Sequence, residues 1–335
     1  MKKILVSGAT GAMGQYLVPR LCNMGFQVDA LALNTLEYIH PNLKSFSCDA
    51  FDFQFMSSLL RENHYDAYVD FMIYNTPMLA QWLPMVSQST GHYIYFSTYR
   101  IYDNKEIPVK ETSPRLLDSA DDLILRNSDD YSVYKARGEN IMHAMPQKNW
   151  TIVRPAITYS LMRYQLVTLE APFTVGRAFA GKPVVLPEQA KNIQATMSWA
   201  GDIAEMIAKL LFNDRAFGET FTIATSEHHS WGEIADYYND ICGLKSVWVD
   251  KEDYIKMIAP EYSIGARWQL EVDRLFNRIM DNSKVLAATG MKQEDLKPLY
   301  DGLNYEINRC PRTTAFCTNE WISAVWERMD AIAGV

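Results

Sequence analysis

The sequence predicts an α/β fold: a parallel sheet with helices on both faces, followed by a smaller C-terminal α/β domain. Three observations predict it. A strand, a glycine-rich turn, a helix and a second strand follow one another between Lys3 and Leu33. Further short apolar runs of strand length recur downstream, at Tyr68–Met72 and Gly91–Thr98. At 335 residues, with 48% hydrophobic and 21% charged side chains, the chain can bury one large core or two ordinary ones.

The first unit sets the rest. Lys3-Ile4-Leu5-Val6-Ser7 is apolar and of strand length. Gly8-Ala9-Thr10-Gly11-Ala12-Met13-Gly14 follows directly, then Tyr16, Leu17, Val18 and Leu21 fall at helical spacing until Gly25. Val28 to Leu33 reads as a second buried strand. In such a βαβ unit the first glycine permits the tight turn, the second lets the backbone approach a pyrophosphate, and the third lets helix and sheet pack closely. The helix N-terminus adds free N–H groups and a positive dipole end. Gly8, Thr10, Gly11, Ala12, Met13 and Gly14 are therefore candidates for binding a dinucleotide in a Rossmann-type domain.

Which dinucleotide, NAD or NADP, is weakly marked. An acid at the end of the second strand would bind the NAD ribose, and a base there would favour the 2′-phosphate of NADP. Leu33-Asn34-Thr35 offers neither; Asn34 or Thr35 could serve either ribose, and Asp29 lies too early in the strand. Phe46-Ser47-Cys48-Asp49 reads as a third strand ending in an acid. Asp49 could face the cofactor or cap the following helix.

The chemistry is expected beyond the carboxyl ends of the central strands, where open α/β sheets bind ligands. Ser97 and Thr98 stand at such an end. Downstream, Tyr131 and Lys135 are four apart, on one face of a helix. A tyrosine is a poor base near neutrality, but an adjacent cation favours its phenolate. With Thr98 orienting the reacting oxygen, Tyr131 and Lys135 form a general acid/base unit for oxidising an alcohol while hydride leaves for nicotinamide.

The G-x-x-G-x-x-G spacing, the Ser97-Thr98 strand end and the Tyr131/Lys135 pair, in that order, resemble the extended short-chain dehydrogenases/reductases of the NAD-dependent epimerase/dehydratase family. The likeness runs from Met1 to about Leu303, through Ile152–Tyr159, Arg177–Pro183, Ser198–Ala204, Gly218–Ile223 and Asp281–Lys284. It implies an NAD(P)-binding domain over residues 1–155, its sheet completed by parts of 195–225, and a mainly substrate-binding domain over 156–335. It also implies that Asp49 contacts the adenine and Lys135 the nicotinamide ribose.

Three departures mark a divergent branch. In the family's sugar-nucleotide 4,6-dehydratases, an Asp and a Glu after the threonine eliminate water; here Tyr99 and Arg100 follow Thr98. The stretch from Phe71 to Tyr93 is short, as in relatives that bind chloroplast RNA. The family's diphosphate-binding arginine is missing from Asn192–Met197. Arg267, Arg274 or Arg278 could replace it, or could be solvated helix residues. The resulting expectation is a sugar epimerase, its substrate nucleotide-linked, working through a transient ketone. The alternatives are an NAD(P)-dependent reductase of a small carbonyl or sugar, or a non-catalytic RNA-associated relative. Family members often pair as homodimers.

Composition bounds the partners. With 40 acidic and 32 basic residues the net charge is −8, which opposes a broad nucleic-acid surface. Five widely spaced cysteines form no C-x-x-C pair, so reduced thiols are expected and no metal site. The apolar run after Lys2-Lys3 is too short for a signal peptide and no stretch suits a membrane span, so a cytoplasmic protein is expected. Ser230-Trp231-Gly232-Glu233 has the form of a capping box. Trp321, Ile322, Val325, Trp326, Met329 and Ile332 form a stripe expected to pack in the core.

Overall fold

The computed structural model describes residues 1–335. Its first half alternates strands and helices. β1 (Lys3–Ser7) leads through the glycine turn into α1 (Gly14–Asn23), then β2 (Gln27–Ala32) and β3 (Leu43–Ser47). α2 (Phe53–Glu62), β4 (Ala67–Asp70), α3 (Thr76–Ser89) and β5 (Tyr93–Phe96) follow. The short helices α4 (Leu116–Ser119) and α5 (Leu123–Asn127) precede α6 (Tyr131–Ala144) and β6 (Trp150–Pro155).

The second half contributes strands β7 (Ile157–Tyr159), β8 (Val184–Pro187), β9 (Gln194–Ala195), β10 (Met197–Trp199), β11 (Glu219–Ile223), β12 (His229–Ser230) and β13 (Ser246–Val249). Among them run α7 (Val175–Phe179), α8 (Ala200–Leu210) and α9 (Trp231–Cys242). The chain ends with α10 (Lys251–Ile258), α11 (Ile264–Gln269), α12 (Ser283–Thr289), α13 (Leu299–Arg309) and α14 (Glu320–Ala333).

Seven strands form one parallel sheet in the order β11-β6-β5-β4-β1-β2-β3. A parallel sheet is covered on both faces, so its central strands are apolar throughout and their alternate side chains enter different cores. Ile4 and Val6 of β1 pack with Leu17 and Val18 of α1, Ile203 and Ile207 of α8, and Val285 of α12. Leu5 joins Met56 of α2, Leu79 and Leu83 of α3, and Met142 of α6. The sheet unit thus draws on α12 as well as on β11 and α8, reaching beyond the 195–225 stretch read from the sequence.

β4 and β5 are shorter than the runs that suggested them. At β4 the cause is Asp70. Its buried carboxylate accepts from Ser7 Oγ (2.6 Å), Tyr93 Oη (2.9 Å), Trp82 Nε1 (3.0 Å) and the Met72 amide (3.1 Å). The last bond turns the chain away from the sheet just where Phe71 and Met72 line the site. β5 ends at Phe96 because Thr98 caps a 3-10 turn over Tyr99–Ile101, its Oγ1 accepting from the Arg100 amide at 3.2 Å.

The second half adds three two-stranded pairs, β7 with β10, β8 with β13 and β9 with β12. Their core joins Val184, Val185 and Leu186 to Trp231, Ile234, Tyr254, Leu303 and Val325. The Ser230/Glu233 capping box is formed at the start of α9. The C-terminal stripe divides: Ile322, Val325 and Met329 are buried, whereas Trp321 is 58% exposed. No helix is long and apolar enough to cross a membrane.

Candidate active site

Two adjoining cavities open at the carboxyl ends of β1, β2, β4 and β5. The first, about 440 Å³, is lined by Gly8, Thr10–Gly14, Leu31–Asn34, Cys48–Phe51, Phe71, Met72 and Arg163. Every glycine-turn residue proposed from the sequence, together with Asn34 and Asp49, lines this one cavity.

The glycines are required by contact as well as by conformation. Gly8 has φ +70°, in the left-handed region that glycine tolerates. A Cβ at Gly14 would lie 2.5 Å from the Ala9 carbonyl, and one at Gly11 would lie 3.1 Å from the Gly8 carbonyl. No side chain caps the N-terminus of α1; the Gln15 and Tyr16 amides bond to the Gly11 and Met13 carbonyls, and the amides of Ala12, Met13 and Gly14, which have no partner in the chain, remain available to a phosphate. This cradle fits a dinucleotide.

Asp49 does not cap the next helix. Asp52 does so, accepting from Gln54 and Phe55 amides at 3.0 Å each. Asp49 Oδ1 accepts from the Phe51 amide at 2.9 Å and keeps its place on the cavity wall. Asp29 is turned away from the cavity, buried between Lys3 (2.8 Å) and the Tyr65 hydroxyl (2.7 Å).

The second cavity, about 310 Å³, shares Met13, Phe71 and Arg163 with the first. Thr98, Tyr131 and Lys135 line it, with Ser97, Tyr99, Arg100, Thr158, Gln165, Glu170 and Arg274 among the others. The Asp130 carboxylate starts α6 by accepting from the Ser132 amide at 2.9 Å, which points Tyr131 at the cavity mouth. One turn on, Lys135 is 2% exposed, and its Nζ donates to the Phe96 carbonyl at 2.6 Å. Gly138 allows this helix to lie against β5, since a Cβ there would collide with the Tyr95 hydroxyl.

Electrostatics separate the two groups. Burial pushes the Lys135 ammonium down to about 8, against the pull of Asp70 and Glu139. Burial pushes the Tyr131 phenol up; Arg100, a hydrogen bond with Thr98 and Arg163 pull it back down. Below the site, Glu139 is fully buried and takes Arg154 at 2.8 and 2.7 Å, with Arg115 at 3.3 Å. This pair braces α6 against β6.

The arginines are sorted by the structure. Arg274 is buried against the second cavity, donating to Val167 O (2.8 Å) and bonded to Asp273 and Tyr99. Arg278 is 2% exposed, its guanidinium without a hydrogen-bond partner and packed on Tyr99 and Phe276. Neither is a solvated helix residue. Arg267 is tied outside the cavity, to Glu252 (2.6 Å) and Glu271 (2.9 Å). Arg163, which both cavities share, escaped the sequence reading; it lies in a loop after β7 that carries no spacing signal.

The sheet order, the glycine cradle and the adjoining cavity make up a Rossmann-type fold with a second cavity beside the nucleotide cradle. Solved structures that share the fold include epimerases and a dehydratase in complex with NAD. Among them is UDP-glucose 4-epimerase from Thermus thermophilus in complex with NAD (18% identity, 91% of this chain, 98% of that one, TM-score 0.67). UDP-glucuronic acid 4-epimerase from Bacillus cereus, in complex with UDP-glucuronic acid and NAD, aligns over 92% of this chain and 99% of that one at 16% identity and TM-score 0.66. dTDP-glucose 4,6-dehydratase from Bacillus anthracis, also with NAD, covers 92% and 96% at 16% identity and TM-score 0.68. In sequence, an alignment 137 positions long is 34% identical to a UDP-glucose 4-epimerase of Streptococcus mutans; it covers 33% of this chain and 40% of that enzyme. No family model matches the chain.

Proposed function

We propose that the chain is an NAD(P)-dependent epimerase of a nucleotide-linked sugar, inverting a carbinol, C4 by preference, through a transient ketone. The observation that supports it is the adjoining pair of cavities, the glycine cradle and one lined by Thr98, Tyr131 and Lys135, which share Met13, Phe71 and Arg163. Gly8, Thr10, Gly11, Ala12, Met13 and Gly14 would hold the dinucleotide's phosphates, Asn34 and Asp49 its adenosine half, and Lys135 its nicotinamide ribose. NAD suits this site better than NADP. The only basic side chain on the first cavity is Arg163, at the boundary with the second cavity, so none faces a 2′-phosphate beside Asn34.

A bound nicotinamide supplies the acceptance and return of hydride. Tyr131 takes the proton of the reacting hydroxyl and later gives it back. Thr98 orients the same oxygen by hydrogen bonding. Lys135, anchored to the Phe96 carbonyl, keeps a cation 5.8 Å from the Tyr131 ring centre. The ketone must rotate in the cavity before hydride returns to its other face. Water elimination is not favoured, because the turn after Thr98 carries no carboxylate. Tyr99 is instead buried against Asp273 at 3.3 Å.

The test is to incubate the purified protein with UDP- and dTDP-linked sugars and resolve the products. Epimers formed by the wild type and lost in Tyr131→Phe support the reading. A steady rise in free NADH would support the simple dehydrogenase instead.

A further inference from the structure

We propose that Arg100 is a positioning residue for proton transfer, its fixed positive charge at the Tyr131 ring doing much of what is ordinarily asked of the lysine one helical turn away. The proposal rests on the assignment of Tyr131 as the acid/base group, and its test is independent of any substrate.

Geometry places Arg100 there. Thr98 caps the turn after β5 by accepting from the Arg100 amide (3.2 Å), which fixes the backbone from which the side chain departs. The guanidinium carbon lies 5.2 Å from the Tyr131 ring centre, whereas Lys135 Nζ lies 5.8 Å away. Asp273 holds Arg100 from behind, at 3.2 Å from Nε. The side chain is 14% exposed, so water screens it poorly.

The two cations differ in permanence. A guanidinium keeps its proton at any pH the protein survives. Burial brings the Lys135 ammonium down to about 8, and its proton is engaged with the Phe96 carbonyl. Above that pH Lys135 becomes neutral. Among the charges acting on the Tyr131 phenol, Arg100 is the strongest that favours the phenolate.

The remaining groups around Tyr131 do not cancel this. Arg163, from the loop after β7, acts in the same direction, as does the Thr98 hydroxyl. Asp273 opposes them, but Arg274 is bonded to it and Arg278 lies 3.5 Å away. Tyr134, on α6, packs edge-on against Tyr131 with 5.5 Å between ring centres and is uncharged, its own phenol pushed up by burial. Asp273, the carboxylate that acts on the phenol, therefore faces three arginines, Arg100, Arg274 and Arg278, while Glu170 on the same cavity acts on Arg274.

The experiment follows the Cζ resonance of 13C-tyrosine in the full-length protein, with the Tyr131 signal identified by its loss in Tyr131→Phe. The pH midpoint of that signal is measured in wild type, Arg100→Met and Arg100→Lys, with and without added NAD. The expected result is an upward shift of about one pH unit or more in Arg100→Met, largely restored in Arg100→Lys. Arg274 and Arg278 still neutralise Asp273 in these variants, so folding is expected to hold; unchanged resonances of the tyrosines remote from the site check this. A midpoint that Arg100→Met leaves in place, or that Arg100→Lys fails to restore in a folded protein, overturns the proposal. Either result stands whether or not the enzyme proves to be an epimerase.

Discussion

Lys135 stands one helical turn from Tyr131, its Nζ 5.8 Å from the phenol ring, and its ammonium is buried against the Phe96 carbonyl rather than exposed to solvent. That burial makes the ammonium costly to the fold.

That cost has a sign. The folded state holds Lys135 at about 8, below its ordinary 10.5. Between those values the unfolded chain binds a proton that the folded chain does not, so stability rises with pH there. Below about 8 the penalty is constant. A gap of this size corresponds to about 3 kcal/mol at most. Lys135→Met is expected to abolish turnover yet leave the protein as stable as wild type or more so at pH 7. The stability excess should shrink as pH rises from 8 toward 10.5. Urea unfolding at several pH values measures it.

Tyr131→Phe keeps the ring and its packing while removing the phenolic oxygen proposed to take and return the substrate's proton. A loss of turnover of about 10²–10⁴-fold is expected with cofactor retention unchanged. Product assays and the nicotinamide released on denaturation give the two halves of that result.

Gly14→Ala puts a methyl group 2.5 Å from the Ala9 carbonyl, where α1 meets the sheet. We expect at least about a tenfold loss of NAD affinity and about 1–3 kcal/mol of stability. Fluorescence titration and thermal melting check these separately.

Arg154→Met strands the Glu139 carboxylate in a wholly buried place, with only the 3.3 Å contact to Arg115 left among its cations. A cost of about 3–5 kcal/mol is expected. The double variant Arg154→Met/Glu139→Gln should recover part of it, and a double-mutant cycle in urea reads the coupling.

How far the sequence foretold this site varies with the kind of signal. The glycine turn and the Tyr131/Lys135 pair are local patterns, where a period or offset fixes which residues share a face. They mark the cradle and α6 without any tertiary knowledge. Asp49 could not be resolved that way, because Asp49 and Asp52 both precede α2 and only geometry shows that Asp52 is the cap. The cationic side of the second cavity was less legible still. Tyr99 meets Asp273 and Arg274 across 174 and 175 positions of the chain, and Arg100 reaches the same Asp273. No spacing encodes such a meeting. Asp70 looked like an ordinary strand residue; its role as an anchor emerges only when Ser7, Trp82 and Tyr93 converge on it.

Redox inversion with the cofactor retained returns the same hydrogen to the carbon that lost it. Its most direct test is to incubate the protein as purified with a nucleotide-linked hexose or hexuronic acid carrying deuterium at C4, without added cofactor, and to examine the product by NMR. The expected product is a C4 epimer that retains its deuterium, with no accumulation of NADH and no product from Tyr131→Phe. A released ketone formed with stoichiometric NADH, or an epimer that has exchanged its deuterium for solvent hydrogen, would contradict it.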